Sequence, residues 1–144
     1  MIGYYERKIR YYETDKMGIT HHSNYVRLME EARTDYLEEN GCSYAEMEKQ
    51  GMISPVISFH VNYKLPTTFN DIIIIRTALV FYDGVKSKYE YVITDKESGK
   101  LIVTGYSEHC CVNQNGRPVI MKRAFPEFNE KFIKLLESQS IIGQ

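Results

Sequence analysis

Residues Asp15 to Glu39 read DKMGITHHSNYVRLMEEARTDYLEE and contain the strongest structural signal in the sequence. The second half of this stretch predicts an amphipathic helix, because apolar side chains recur at intervals of three and four residues. These side chains are Tyr25, Leu28, Met29, Ala32 and Tyr36. Val26 and Leu37 widen the apolar arc to roughly half of the circumference, at about 100° per residue. So wide an arc is typical of a helix wrapped by a sheet.

The ends of this helix are marked in the sequence. Ser23 is the predicted N-cap, and Asn40-Gly41 is the predicted stop. A helix N-terminus carries unpaired N–H groups and a partial positive charge. It can therefore polarise a carbonyl oxygen, as an oxyanion hole does.

The first half of the stretch predicts a turn that delivers polar groups to this helix N-terminus. Gly18 can adopt a positive φ or allow a ligand to approach closely. Asp15 and His22 bracket the turn. A carboxylate beside an electropositive helix end supplies a base or nucleophile, and the helix N–H groups can polarise the carbonyl oxygen. These two functions are the ones that acyl transfer requires.

At these residues the sequence resembles the hotdog-fold acyl-CoA thioesterases of the 4-hydroxybenzoyl-CoA thioesterase type. The residues that carry the resemblance are Tyr12-Glu13-Thr14-Asp15, Gly18, His22, Asn24-Tyr25 and Met29-Glu30-x-Ala32-Arg33, with a weaker match at Tyr63-x-x-Pro66. The resemblance implies a curled antiparallel sheet around one long central helix, and hydrolysis of an acyl-CoA. It also implies a site between two subunits, hence a homodimer or homotetramer, and no metal or redox cofactor.

The resemblance gives Asp15 the catalytic role, either as a nucleophile that attacks the thioester or as a base for an attacking water. The sequence leaves both routes open, and a solvated turn or Asx-cap aspartate is the competing interpretation. His22 is expected to orient the substrate. Gly18, Asn24 and Tyr25 are expected to bind it, the last two through amides near the thioester oxygen.

Coenzyme A carries phosphates, and basic residues after the Asp83-Gly84 turn are candidates to meet them. These are Lys86 and Lys88, with Ser87 between them. A second basic cluster, Arg117, Lys122 and Arg123, competes for this role, and either group is equally typical of a solvated surface. Arg33 lies inside the apolar arc, where a structural ion pair or an interface contact is expected. Glu30 and Glu31 are reserve candidates for a catalytic helix carboxylate.

Composition narrows the classes of partner. The 144 residues fit one domain over 1–144, and the net charge of −1 disfavours nucleic acid. No signal segment or membrane span is predicted, so we expect a cytoplasmic protein without a membrane partner. The three cysteines, Cys42, Cys110 and Cys111, lack metal-type spacing and are predicted to be reduced structural thiols.

The remaining chain predicts an α+β fold. Apolar alternation and turn signals predict strands at 4–14, 53–64, 71–82, 85–94 and 101–113, and helices at 43–50 and 124–136. The run from Ile72 to Ile75 places apolar side chains on both sheet faces. We therefore expect oligomerisation to cover the outer face, or else the C-terminal helix to do so, with a frayed tail after Ser138.

Two alternatives to an acyl-CoA thioesterase stay open at this point. One is a thioesterase that acts on acyl carrier protein, which differs from the first only in the thiol that carries the acyl group. The other is a non-catalytic module that binds or senses acyl-CoA without hydrolysing it.

Overall fold

The computed structural model describes residues 1–143. The strands are β1 (Ile2–Lys8), β2 (Val56–Tyr63), β3 (Ile72–Tyr82), β4 (Lys86–Asp95) and β5 (Leu101–Cys110). The helices are α1 (Ser23–Glu39), α2 (Tyr44–Lys49), α3 (Met121–Ala124) and α4 (Pro126–Leu135). The strands form one antiparallel sheet in the order β1-β3-β4-β5-β2, which leaves β1 and β2 at the edges.

Helix α1 packs against the inner face of this sheet, as its wide apolar arc predicts. Leu28 and Met29 are fully buried and share one core cluster with Ile73 and Ile75 of β3. Gly105 of β5 makes the close approach possible, because a Cβ there would lie 3.0 Å from the Met29 Cε atom and 2.6 Å from the His60 carbonyl oxygen. The predicted α+β architecture, a curled sheet around a central helix, is confirmed.

The C-terminal tail covers part of the outer face of the sheet, and oligomerisation through this face stays a prediction. Ala78 and Val92 are buried there against Ile141 of the C-terminal tail, and the Ile141 N–H donates to Glu90 at 2.8 Å. The prediction of a frayed tail was therefore wrong, because the tail has a specific apolar and polar anchor. The C-terminal helix α4 does not cover this face, since its Phe128 belongs to the inner core cluster.

Several predicted boundaries change for local reasons. Strand β1 ends at Lys8, and a 3-10 turn spans Tyr11–Glu13, because the buried Glu13 carboxylate accepts hydrogen bonds from Arg7 and from the Arg10 N–H. The predicted C-terminal helix is broken at Phe125, whose φ of −141° is not helical. The stop at Asn40-Gly41 is confirmed, with Gly41 at a φ of +75°.

Candidate active site

The Asp15 turn has the tight backbone that its sequence predicts. The Gly18 N–H donates to the Asp15 carbonyl at 2.9 Å, and Gly18 has a φ of +79° with open space where a Cβ would stand. The Asp15 Oδ1 atom accepts the Met17 N–H at 2.8 Å, an Asx-type bond that fixes the carboxylate. Its second oxygen, Oδ2, accepts no hydrogen bond from residues 1–143. One oxygen therefore orients the side chain, and the other is available for chemistry.

Helix α1 begins one residue earlier than its sequence predicts. His22 is the N-cap and already has helical backbone angles, φ −55° and ψ −32°. Its side chain makes no capping hydrogen bond. Ser23 therefore lies inside the helix, and the prediction of Ser23 as N-cap was wrong. Its hydroxyl instead pairs with the His21 Nδ1 atom at 2.8 Å.

This earlier start moves the free amide of the helix end. The Asn24 N–H donates to the His21 carbonyl at 3.0 Å, and the Tyr25 N–H donates to the His22 carbonyl at 3.3 Å. The amides that sequence reasoning selected for the thioester oxygen are thus occupied by the first helical turn. The His22 N–H donates to no atom in the described part of the chain, so it is the amide that a ligand can use.

The carboxylate and the helix end open into one pocket, which we call the Asp15 pocket. It has a volume of about 300 Å³. Its lining combines the turn, the start of α1 and the chain that leaves β2: Asp15, Met17, Ile19, Thr20, His22, Tyr25, Tyr63, Lys64, Leu65 and Pro66. The structure therefore brings Asp15, His22 and Tyr25 together as the sequence predicted, and it adds the segment 63–66.

Buried hydroxyl groups support the wall of this pocket. The Tyr25 hydroxyl pairs with the Thr67 Oγ1 atom at 2.8 Å, and Thr67 pairs in turn with the Thr20 Oγ1 atom at 2.7 Å. Burial raises the pKa of Tyr25, so this phenol stays neutral and structural. The Tyr63 hydroxyl donates to the His22 carbonyl at 3.1 Å and ties the end of β2 to the helix start.

Two predicted substrate-binding residues have positioning roles in the structure. The Asn24 side-chain amide donates to the Glu13 carbonyl at 2.9 Å and holds the chain that precedes Asp15. Gly18 permits the turn through its backbone conformation. Neither residue is among those that line the Asp15 pocket.

The predicted phosphate site at Lys86, Ser87 and Lys88 does not lie at this pocket in the chain. Lys86 pairs with Cys110 at the far end of β5, whereas Tyr63 of the pocket pairs with Val103 near its start. These two positions of β5 are seven residues apart, or roughly 23 Å along the strand. Ser87 is buried, and the Lys88 ammonium lies 4.2 Å from the Tyr106 ring centre.

The cation that does line the Asp15 pocket was missed by sequence reasoning. Lys64 is exposed and follows Tyr63 directly at the end of β2. The available signal was the Tyr63-x-x-Pro66 pattern, since a proline is excluded from a strand interior and so marks where β2 stops.

Other candidate chemistry in the sequence has a structural explanation. Residues 1–143 hold no cluster of three or more metal-ligating side chains. The cysteines are free, and burial raises the pKa of Cys42 and of Cys111 to about 11, so both are protonated thiols at neutral pH. No helix among the described residues has the length and apolar character needed to cross a membrane.

Comparison with known proteins places this geometry in a family. The sequence model of the thioesterase-like superfamily matches residues 9–136. The chain therefore belongs to this superfamily, which confirms the resemblance, the hotdog fold and the enzyme class, thioester hydrolase, that the Asp15 stretch predicted.

Individual relatives support this assignment. The chain is 35% identical over 130 residues to the "Putative acyl-CoA thioesterase YneP" of Bacillus subtilis, covering 90% of this chain and 94% of the relative. It is 26% identical to the long-chain acyl-CoA thioesterase FadM of Escherichia coli, over 74% of this chain and 80% of the relative. The crystal structure of a DHNA-CoA thioesterase from Staphylococcus aureus is 40% identical, with a TM-score of 0.88 over 92% of this chain and 89% of that one.

Proposed function

We propose that this thioester hydrolase cleaves acyl-CoA to a carboxylic acid and CoA in the Asp15 pocket. The observation that carries the proposal is that a carboxylate with a free oxygen and an unpartnered helix-end amide, Asp15 and His22, line the same pocket. Relatives named as acyl-CoA thioesterases support CoA as the carrier of the acyl group.

Each group has a distinct part in the proposed reaction. The His22 N–H donates a hydrogen bond to the thioester oxygen and, with the positive end of α1, stabilises the negative charge that develops there. In the direct route, Asp15 Oδ2 attacks the carbonyl carbon, the C–S bond breaks and CoA leaves as a thiolate. Water then cleaves the mixed anhydride and restores the carboxylate. In the other route, Asp15 takes a proton from the attacking water.

The two routes differ in where a solvent oxygen first arrives. Single-turnover hydrolysis in heavy-oxygen water, followed by mass analysis of the peptide that holds Asp15, tests for the direct route. Label in the Asp15 carboxylate supports that route, because water that attacks the thioester itself leaves the Asp15 oxygens unlabelled.

The exchange Asp15→Asn tests the proposal as a whole. The amide can still accept the Met17 N–H, but it is neither a base nor a carboxylate nucleophile, so we expect turnover to fall by roughly 10³-fold with the melting temperature unchanged. Release of free thiol from an acyl-CoA gives the rate. Near-normal turnover, or CoA-ester binding with no hydrolysis in the unmodified enzyme, contradicts the proposal.

Asp83→Asn is the matched control for this exchange. The Asp83 Oδ1 atom also accepts turn amides, from Val85 at 2.9 Å and from Lys86 at 2.7 Å, but it lies at the opposite end of the sheet. We expect this variant to keep its turnover. An equal loss in both variants would assign the effect to turn stability rather than to chemistry.

We also propose an aromatic acyl group for the substrate. The Tyr25 and Tyr63 rings meet edge to face in the pocket, 5.7 Å between centres, and offer aromatic contacts to a ring. The Staphylococcus aureus relative, whose name specifies DHNA-CoA, supports the same class. A panel that compares benzoyl-CoA with hexanoyl-CoA tests it, and a higher kcat/KM for hexanoyl-CoA would contradict it.

A homodimer formed through β2 is the assembly that we propose. This strand is a sheet edge with Val56 and Ile57 about half exposed, and open edges favour pairing with another strand. Antiparallel pairing of two β2 edges would place the Asp15 pocket at the end of one strand beside the start of the other. Sedimentation equilibrium tests the mass, and a monomer at the enzyme's working concentration would contradict the assembly.

The cytoplasm is the location that we propose. The three cysteines are free thiols rather than disulfides, which is typical of a reducing compartment. Fractionation of cells that produce the tagged enzyme tests the location, and recovery outside the cytoplasmic fraction would contradict it.

A further inference from the structure

An ion-pair network, which we call the Arg7 network, lies behind the Asp15 turn. It consists of Arg7 of β1, Glu13 of the 3-10 turn and Glu31 of α1. The Arg7 Nη1 and Nη2 atoms donate to the two Glu13 carboxylate oxygens at 2.7 and 2.8 Å. The Arg7 Nε and Nη2 atoms donate to the Glu31 carboxylate at 3.0 and 3.1 Å. One guanidinium therefore joins a strand, a turn and a helix.

The charges of this network hold Glu13 in one position. Arg7 and Glu13 are almost fully enclosed, with 7% and 5% of each residue exposed. Burial acts to raise the pKa of Glu13, but the hydrogen bonds from Arg7 and from the Arg10 N–H outweigh it and hold this pKa below its ordinary value. Both partners are therefore charged at neutral pH. Removing one of them would leave the other as an uncompensated buried charge.

Arg33, the buried arginine of α1, has neutral partners instead. Its Nε atom donates to the Tyr44 hydroxyl at 2.7 Å, and its Nη1 atom donates to the Tyr91 hydroxyl at 3.0 Å. Tyr91 pairs in turn with the Ser107 hydroxyl, and Ser107 pairs with the His109 Nε2 atom. No ion pair with Arg33 forms within residues 1–143, so the structural ion pair that the sequence allowed for it is absent there. In the part of the chain that the structure describes, the one ion pair between two buried side chains belongs to the Arg7 network.

The backbone of Glu13 is bonded to both sides of the helix start. Its carbonyl oxygen accepts the His21 N–H at 2.8 Å and the Asn24 side-chain amide at 2.9 Å. These two donors flank His22, whose own N–H has no partner among residues 1–143. The position of the Glu13 carbonyl therefore determines where the His22 N–H lies.

Glu13 also adjoins the turn that carries Asp15. The Asp15 N–H donates to the Ile19 carbonyl at 2.9 Å, and Thr14 forms a β-bridge with Thr20, so residues 14–20 form a narrow loop. Glu13 precedes this loop, and the residue that follows it donates to the Glu13 carbonyl. Glu13 is not among the residues that line the Asp15 pocket. It therefore acts on Asp15 through the backbone alone.

We propose that Glu13, fixed by Arg7, is a positioning residue for thioester hydrolysis, because it holds Asp15 and the His22 N–H at the spacing that the reaction requires. The inference rests on the proposed function of the Asp15 pocket and extends it to residues that do not touch the substrate. A carboxylate and an oxyanion donor act together only within small tolerances, since a displacement of about 1 Å lowers a rate by up to about 100-fold.

Glu13→Gln tests this role. Glutamine has nearly the same size, but its NH2 group meets the Arg7 guanidinium donor to donor, so the turn should shift. We expect kcat to fall by roughly tenfold and KM to change by less than about twofold, since every residue that lines the pocket is unchanged. Release of free thiol from benzoyl-CoA gives both constants.

Glu90→Gln is the matched control, because Glu90 is a carboxylate residue of similar burial on the outer face of the sheet. Only 6% of Glu90 is exposed, and it accepts the Ile141 N–H at 2.8 Å. This variant should also lose stability in urea unfolding, but it should keep its kcat. An equal loss of kcat in the two variants would assign the effect to stability and overturn the inference.

Asn24→Ala tests the same path without disturbing a buried charge, so it decides the question even if Glu13→Gln fails to fold. The exchange removes one of the two donors to the Glu13 carbonyl. We expect kcat to fall by roughly threefold with KM nearly unchanged. An unchanged kcat would show that the Glu13 carbonyl does not position the helix start, and would overturn the inference.

Hydrogen exchange measured by amide NMR gives a readout that does not depend on activity. In Glu13→Gln the His21 N–H should exchange faster by roughly tenfold or more, whereas the Leu28 N–H, inside α1, should change no more than it does in Glu90→Gln. Unchanged exchange at His21 would overturn the inference. Absence of hydrolysis in the unmodified enzyme would contradict the proposed function and this inference together, whereas hydrolysis that survives Glu13→Gln at full rate would contradict this inference alone.

Discussion

Helix α1 carries two polar regions that differ in nearly every physical respect. At its start, Asp15 and His22 are at least partly open to solvent, and each has one polar group without a partner among residues 1–143. Ten residues after Ser23, or roughly 15 Å along the helix axis, Arg33 is buried in a chain of neutral hydroxyl groups. The first region is held by turns, and the second is held by residues from α2 and β4.

Reactivity and stability therefore depend on different regions of this molecule. Changes to the Asp15 and His22 side chains should alter rates with little effect on folding, because few buried contacts depend on these side chains. Changes in the buried region should alter the free energy of unfolding, because its groups were desolvated when the chain folded.

The pH dependence of stability should show the greatest change in the buried region, and His109 is its source. The unfolded chain binds a proton at histidine near the ordinary pKa of 6.5, whereas native His109 does so only near 4. Between these values the unfolded state binds more protons, so stability falls as pH drops through this window. Urea unfolding should show a loss of roughly 2 kcal/mol between pH 7 and pH 5 from this group.

His109→Gln removes this titration and keeps a side chain that can bond to Ser107. The variant should lose less stability than the unmodified protein over the same pH range. Parallel curves for the two proteins would show that the buried region is not the pH-sensitive one.

A smaller effect is expected at Gly18, where a positive φ holds the Asp15 turn. Gly18→Ala meets no steric clash, so its cost is backbone strain of about 1–2 kcal/mol. Relief of that strain should move the carboxylate and lower kcat/KM by roughly tenfold.

Gly84→Ala is the matched control, because Gly84 has a φ of +96° and open space around it in a hairpin remote from the pocket. Both variants should lose similar stability in urea unfolding, but only Gly18→Ala should lose activity. Equal kcat/KM in the two variants would show that catalysis does not depend on the conformation of the Asp15 turn.

The smallest expected effect concerns the phosphates of CoA. Lys64→Ala should raise KM by roughly fivefold with little change in kcat, since an exposed lysine supplies about 1 kcal/mol of binding. Lys88→Ala should leave KM unchanged. Steady-state kinetics with one acyl-CoA check both, and a larger KM increase in Lys88→Ala would restore the phosphate site that the sequence suggested.

Local patterns in the sequence were sufficient for much of the fold. The spacing of Leu28, Met29 and Ala32 predicts α1, and Asp83-Gly84 predicts the hairpin between β3 and β4. Each of these signals depends on residues that are close in the chain. The Asp15 turn was predictable for the same reason, since Gly18 supplies its conformation within three residues.

The remaining features depend on contacts between distant residues. Lys64 reaches the Asp15 pocket because β2 ends beside the helix start, and Arg33 meets Tyr44 and Tyr91 because α2 and β4 converge on it. The N-cap position of His22 could not be predicted from the sequence either, because serine, the next residue, has the higher N-cap propensity. Local preference thus indicated the candidate site, and tertiary packing determined which of its atoms lack a partner among the described residues.

The claim that one carboxylate and one helix-end amide act on the same thioester can be tested most directly in a crystal of Asp15→Asn soaked with a benzoyl-CoA substrate. We predict the thioester oxygen about 3 Å from the His22 nitrogen, with the carbonyl carbon facing the side chain at position 15. A thioester bound away from the Asp15 pocket, or with its oxygen turned from the start of α1, would contradict the account.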